Sequence, residues 1–178
     1  MARNARLIQI FPERSLPVLR FLKIALPVFL VGFVAGNAFW YLASPLWIDN
    51  EVSESLAGAD QVKTLSVGSF RDADRSHKGT GIAAILQRPD GSTLLRLTEF
   101  EVTNGPDLEV WLVGVADPSD SRAVKESTFL SLGRLKGNIG DQNYDIPEGT
   151  DLSSYGSVVI WCEQFGVLFS PATLAPAS

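Results

Sequence analysis

One cysteine in 178 residues excludes an intrachain disulfide framework and any multi-cysteine metal centre. One histidine excludes every site that needs two imidazoles, two-histidine zinc and blue-copper centres included. No C-x-x-C-H is present, so covalent c-type haem attachment is excluded as well. The chain also lacks a G-x-S-x-G serine elbow, a G-x-x-x-x-G-K-[ST] phosphate loop and a complete G-x-G-x-x-G. A Ser-His-Asp hydrolase and a nucleotide-binding fold lose their usual signatures with them. Internal repeats and low-complexity tracts are missing too. What remains is a chain that is 46% hydrophobic, too apolar to be wholly disordered.

The formal charge of −5 hides a split. Residues 1–23 carry Arg3, Arg6, Arg14, Arg20 and Lys23 against the single acid Glu13. Residues 49–178 carry ten Lys/Arg against nineteen Asp/Glu. An acidic body repels phosphate backbones, so no nucleic-acid partner is expected.

Between the two parts, Ile24 to Ile48 is a run of 25 residues with no formal charge. As a helix it spans about 37 Å, enough for a hydrocarbon core of about 30 Å. Trp40, Tyr41 and Trp47 crowd its far end, where amphipathic rings favour the membrane interface. The basic flank predicts a single-pass segment in the cell membrane, with residues 1–23 cytoplasmic and the acidic body extracytoplasmic. Gly36-Asn37-Ala38 offers small residues for signal-peptide cleavage. The charged leader is long, however, and the apolar run exceeds the usual 7–15 residues, so an uncleaved anchor is the expectation. Gly32 and Gly36 form a G-x-x-x-G pair that would let two copies approach as a homodimer.

Residues 49–61 are acidic, small and aperiodic and read as a linker. From Val62 to Ser178 the pattern is that of short strands with turns. Expected strands cover Val62–Phe70, Gly81–Gln87, Ser92–Phe100, Leu108–Ala116, a segment around Tyr144, and the region Val158–Phe169. Arg88-Pro89-Asp90-Gly91 places Pro and Gly for a tight hairpin turn. Asp117–Glu126 reads as a polar loop. The tail after Ser170 is expected to pack through Leu174 and then fray. Together these predict an all-β sandwich or barrel of about seven strands, preceded by one N-terminal transmembrane helix.

Period-2 alternation puts Val158, Ile160 and Cys162 on one sheet face, with Trp161 opposite, or beside Cys162 if a bulge shifts it. Phe165, Val167 and Phe169 have the other parity. A β-bulge at Glu163-Gln164 is predicted to bring both sets onto the core. A cysteine so placed is either a redox thiol or a small core hydrophobe. Asp141-x-Asn143-x-Asp145 has the spacing of a calcium loop but lacks its Gly and Glu. It reads as a solvated strand face, and no metal site is expected.

Several local motifs then point one way. They are Gly68-Ser-Phe70, His77-Lys-Gly79, Thr103-Asn-Gly-Pro-Asp-Leu108, Leu132-Gly133, Leu135-Lys-Gly-Asn-Ile-Gly140, Tyr144, and Val159-Ile-Trp-Cys162 with Phe165. In this order, over about residues 66–174, the chain resembles the DM13 domain family. The resemblance implies a β-rich extracytoplasmic module for electron transfer, centred on one cysteine that matches Cys162. It implies a free thiol there, or a bound group such as haem, for which Cys162 and His77 are the candidate ligands. A redox partner protein follows from that reading. The alternative is a non-catalytic binding domain in which Cys162 is structural. His77, ahead of Gly79 and Gly81, reads from the residues alone as a loop position.

Overall fold

The computed structural model describes residues 17–44 and 48–177. Arg3, Arg6, Glu13, Arg14 and Trp47 lie outside them. The chain divides into two compact units, residues 1–42 and 43–178.

Among its described residues the first unit is one helix, α1, Pro17–Ala43. It starts earlier than the uncharged run, so Arg20 and Lys23 stand inside it. The stretch Leu19–Tyr41 is long and apolar enough to cross a membrane, a property that anchors and signal sequences share. Its apolar side chains, Phe29 and Val31 among them, are exposed around the helix. Such a helix suits lipid better than water. Open space surrounds Gly32 and Gly36. Near the far end of this stretch, the polar side chain of Asn37 donates Nδ2 to the Phe33 carbonyl at 2.7 Å.

The second unit is an antiparallel sandwich of nine strands. They are β1 Lys63–Ser69, β2 Gly79–Gln87, β3 Thr93–Val102, β4 Leu108–Val113, β5 Phe129–Arg134, β6 Gln142–Ile146, β7 Ser157–Cys162, β8 Val167–Thr173 and β9 Ala175–Pro176. One sheet has the order β6-β3-β2-β1-β9, the other β5-β4-β7-β8. The all-β expectation holds. Arg88–Gly91 closes the β2–β3 hairpin, with Gly91 N donating to the Arg88 carbonyl.

The core lies between the sheets. Ile85, Leu95, Leu97, Phe100 and Val102 of the first sheet meet Leu108, Val110, Leu112, Val158, Ile160 and Cys162 of the second. Parity would break on β3, where Leu95 and Leu97 are odd and Phe100 and Val102 even. A bulge resolves this. Glu99 and Phe100 together oppose Gly81, between the pairs Thr80–Glu101 and Ile82–Thr98. Glu99 takes φ +49° there, and Gly81 takes +106°. A Cβ on Gly81 would lie 2.6 Å from Phe100 Cα, so only glycine fits.

Four expectations are corrected. Val158–Phe169 is not one bulged strand. Glu163–Gly166 is a tight turn, with Gly166 N donating to the Cys162 carbonyl at 2.8 Å, and β7 and β8 form a hairpin. The bulge sits in β8 at Phe169, between the pairs Ile160–Ser170 and Trp161–Leu168. Phe165 therefore stands at the turn's tip, 64% exposed, instead of in the core. The tail does not fray after Leu174. β9 pairs with β1, and Ala177 N donates to the Leu65 carbonyl. The loop 117–126 contains a short helix, α2 Ser121–Lys125, capped by Asp120 and anchored through the buried Val124.

The stretch 49–61 behaves as two pieces. Residues 49–55 are docked as a strap on the domain. Val52 N donates to the Ile139 carbonyl, Glu54 N to the Asp141 carbonyl, and Lys136 Nζ pairs with Glu54 at 2.8 Å. Residues after 55 make the exposed turn into β1. Asp141, Asn143 and Asp145 share the solvated face of β6. Arg96 bridges Asp141 and Asn143, while Arg88 pairs with Asp145.

Candidate functional site

The strand directions bring four loops to one end of the sandwich. They are β1–β2 (70–78), β3–β4 (103–107), β5–β6 (135–141) and β7–β8 (163–166). The strap joins the domain at the same end, beside Asn104, Lys136 and Asn138. The motifs singled out in the sequence lie in these loops and the strand ends that hold them.

Cys162 is the last residue of β7. Its Cα partners are Leu108 on β4 and Val167 on β8, and the residue is 0% exposed. It belongs to the main core with Leu108, Ile160 and Phe169. Its β4 partner Leu108 is 7% exposed and lines a pocket of about 320 Å³. The walls of that pocket come from the β3–β4 and β5–β6 loops, with Asn50 of the strap. Gly105 packs closely there. A side chain on it would meet Leu108 Cδ2 and the Phe169 ring within 2.9 Å.

A set of amides holds the rim. Asp49 Oδ1 accepts from Asn104 Nδ2 and from Asn138 Nδ2, both at 2.9 Å. Asn138 Oδ1 accepts from Asn50 N at 2.6 Å, and Asn50 Nδ2 donates to the Lys136 carbonyl. Beneath it, the fully buried Gln142 accepts from Tyr144 OH, Lys136 N and Gly137 N, and donates to the Gly137 carbonyl. Burial pushes the Tyr144 hydroxyl above its usual range. The Glu54 carboxyl is held below its ordinary value, chiefly by the hydrogen bond from Lys136. A second pocket of about 470 Å³ adjoins the first through Asn104 and Asn138 and runs along Ser76, Lys78 and Thr103.

His77 is a loop residue at this end. Its Nδ1 lies 2.7 Å from Asp74 Oδ2, and its ring packs on Phe169 with centroids 4.3 Å apart. Asp74 Oδ1 also accepts from Ser76 N and His77 N. These contacts, the His77 side chain foremost, hold the Asp74 carboxyl down at about 2. No hydrogen bond joins His77 to Cys162, because Phe169 takes the inward face of the imidazole.

The arrangement decides what the two candidates can hold. A haem needs a slot open to its ligand atom. Cys162 is sealed, lines neither pocket, and has core side chains on every side. The residues as packed do not fit a haem held between Cys162 and His77. Among the described residues no cluster of three or more His, Cys, Asp or Glu side chains is placed to hold a metal ion.

Sequence reasoning located Cys162 and the motif loops but missed the amide rim. Its signal was present in Asn104 and Asn138, two asparagines inside motifs quoted above only for the family resemblance. The strap residues Asp49 and Asn50 carried no signal of their own, since their partners are more than fifty positions away.

An antiparallel sandwich that gathers four loops at one end, where β7 finishes in the buried Cys162, is thus the frame of the candidate site. The chain belongs to the DM13 family: the family model described as Electron transfer DM13 matches residues 69–174. That span runs from the end of β1 to the tail before β9 and includes all four loops of the motif end. Neither a curated protein nor a solved structure matches the chain.

Proposed function

We propose that the chain is a membrane-tethered electron-transfer module whose redox group is the Cys162 thiol. The tether is α1, left uncleaved, with residues 1–23 on the cytoplasmic side and the domain outside. Two observations support this reading: the family description, and the place of Cys162 at the end of β7, paired with Leu108, which lines the motif-lined pocket. The second carries it. A thiol used only for packing has no need to sit at the strand end where the motif loops converge.

The chemistry open to one cysteine is intermolecular. The Cys162 thiolate attacks a disulfide of a partner or small molecule. One sulfur leaves as a thiolate with the bond's electron pair, and a mixed disulfide remains on Cys162. Attack by a second partner thiol returns Cys162 and completes a two-electron transfer. The buried sulfur requires the Gly105–Leu108 segment to move aside first.

A second reading has its own observation. At 0% exposure, Cys162 packs as a small hydrophobe, as in a binding domain whose pockets do the work. Absorption and intact mass of the full chain taken from membranes, wild type against Cys162→Ser, separate the two. The redox reading expects a thiol adduct on Cys162 that the serine variant lacks. Identical spectra and an unmodified thiol favour the binding domain. A reporter fused after Ser178 tests the topology, which fails if the fusion is active only in the cytoplasm.

A further inference from the structure

The outer face of the second sheet carries chemistry that Cys162 does not use. Trp111 on β4 and Trp161 on β7 lie on the side away from the main core, with ring centroids 5.2 Å apart. Phe129 on β5 stacks flat on Trp111, at 4.0 Å and 9°. The indoles are 6% and 2% exposed, and Phe129 is 52% exposed. Three rings in contact thus lead from solvent to the interior.

Each indole gives its N–H to a carboxylate. Trp111 Nε1 donates to Glu109 Oε2 at 2.8 Å, and Trp161 Nε1 to Glu163 Oε2 at 3.2 Å. Ser131 Oγ donates to the same Glu109 oxygen and fixes it. A buried indole needs one acceptor, and any carbonyl would serve. A carboxylate at both rings does more. It puts a base at the atom from which an oxidised indole loses its proton. Lys125 Nζ stands 5.8 Å from the Trp161 ring centroid, and its charge opposes positive charge on that ring.

We propose that Trp111 and Trp161 form a proton-coupled one-electron redox pair, a second redox site separate from Cys162, serving a strong one-electron oxidant that reaches the Phe129 face. One electron leaves the indole ring system and reduces the oxidant by one electron. The Nε1 proton passes to Glu109 or Glu163, leaving a neutral indolyl radical and a carboxylic acid. An electron from a one-electron reductant such as ascorbate, with the return of that proton, restores the indole. Lys125 biases the oxidised state toward Trp111.

Pulse radiolysis of the full chain in detergent, with the azide radical as oxidant, tests this. Its transient visible spectrum tells the neutral indolyl radical from the indole radical cation. The wild type should give the neutral radical promptly. Trp111→Phe/Trp161→Phe should lose most of that signal, keeping only what Trp40 and Trp47 supply. Glu109→Gln should slow proton loss severalfold, and Cys162→Ser should change nothing. Circular dichroism identifies variants that keep the fold. Equal yields from wild type and the double variant overturn the proposal. So does a long-lived radical cation in the wild type itself, a result that needs no variant.

Discussion

Leu108 and Cys162 stand opposite one another on β4 and β7, and they divide the motif end between them. Leu108 lines the surface pocket, and Cys162 beside it is fully buried. On the proposed redox reading, access to the thiol depends on how tightly Leu108 and Phe169, its companions in the core, pack. Shortening that leucine should expose the sulfur. Leu108→Ala is expected to cost about 2–5 kcal/mol in urea unfolding and to raise the alkylation rate of Cys162 in the folded chain. An unchanged alkylation rate in a folded variant would mean that the thiol is reached by another route, or not at all.

The strap gives a second expectation. Asn138 is 7% exposed, and its side chain bonds Asp49 and Asn50 of the strap. A fragment 62–178 leaves those groups without their partners, whereas 48–178 keeps them. Loss of the strap should lower stability by about 1–3 kcal/mol, the cost of buried polar groups left unpaired. Thermal melts of the two fragments decide it; equal midpoints would make the strap a passive tether.

Gly140 tests the same contact by addition. It has φ +98°, and a Cβ on it would collide with the Val52 carbonyl oxygen. Gly140→Ala should destabilise the domain by at least about 1 kcal/mol through backbone strain and push the strap off. Hydrogen exchange at Val52 N and Glu54 N reads that displacement directly.

Asp74 sets a pH dependence for the loop that carries His77. Its carboxyl falls from 3.8 to about 2 in the folded loop, so folding favours the charged form. The contribution is complete above pH 3.8 and is lost as the pH falls toward about 2. Amide exchange of Ser76 and His77, whose N–H groups bond Asp74, should rise through that window. Asp74→Asn should abolish the dependence there.

Much of the fold was legible because its signals are local. Alternation marked β1–β4, the Pro-Asp-Gly turn marked a hairpin, and the parity of Val158, Ile160 and Cys162 gave the core face correctly. The β7–β8 hairpin was hidden because Glu163–Gly166 closes it in four residues that also suit a bulge. β5 was hidden because Phe129–Arg134 is half-exposed and lacks strong apolar alternation. β9 is two residues long and exists only through its pairing with β1. The site divides the same way. Cys162 and the motif loops could be read from residue types. Their convergence at one end follows from strand order, and the full burial of Cys162 beside Leu108 follows from packing.

Thiol–disulfide exchange on the folded full chain tests the redox role of Cys162 most directly. The chain is incubated with glutathione disulfide and followed by intact mass, beside a sample unfolded in urea. The account predicts one glutathione adduct on the folded chain, absent from Cys162→Ser, formed faster in Leu108→Ala and removed by reductant. An adduct that forms only in urea, with the folded thiol inert in both wild type and Leu108→Ala, would contradict it.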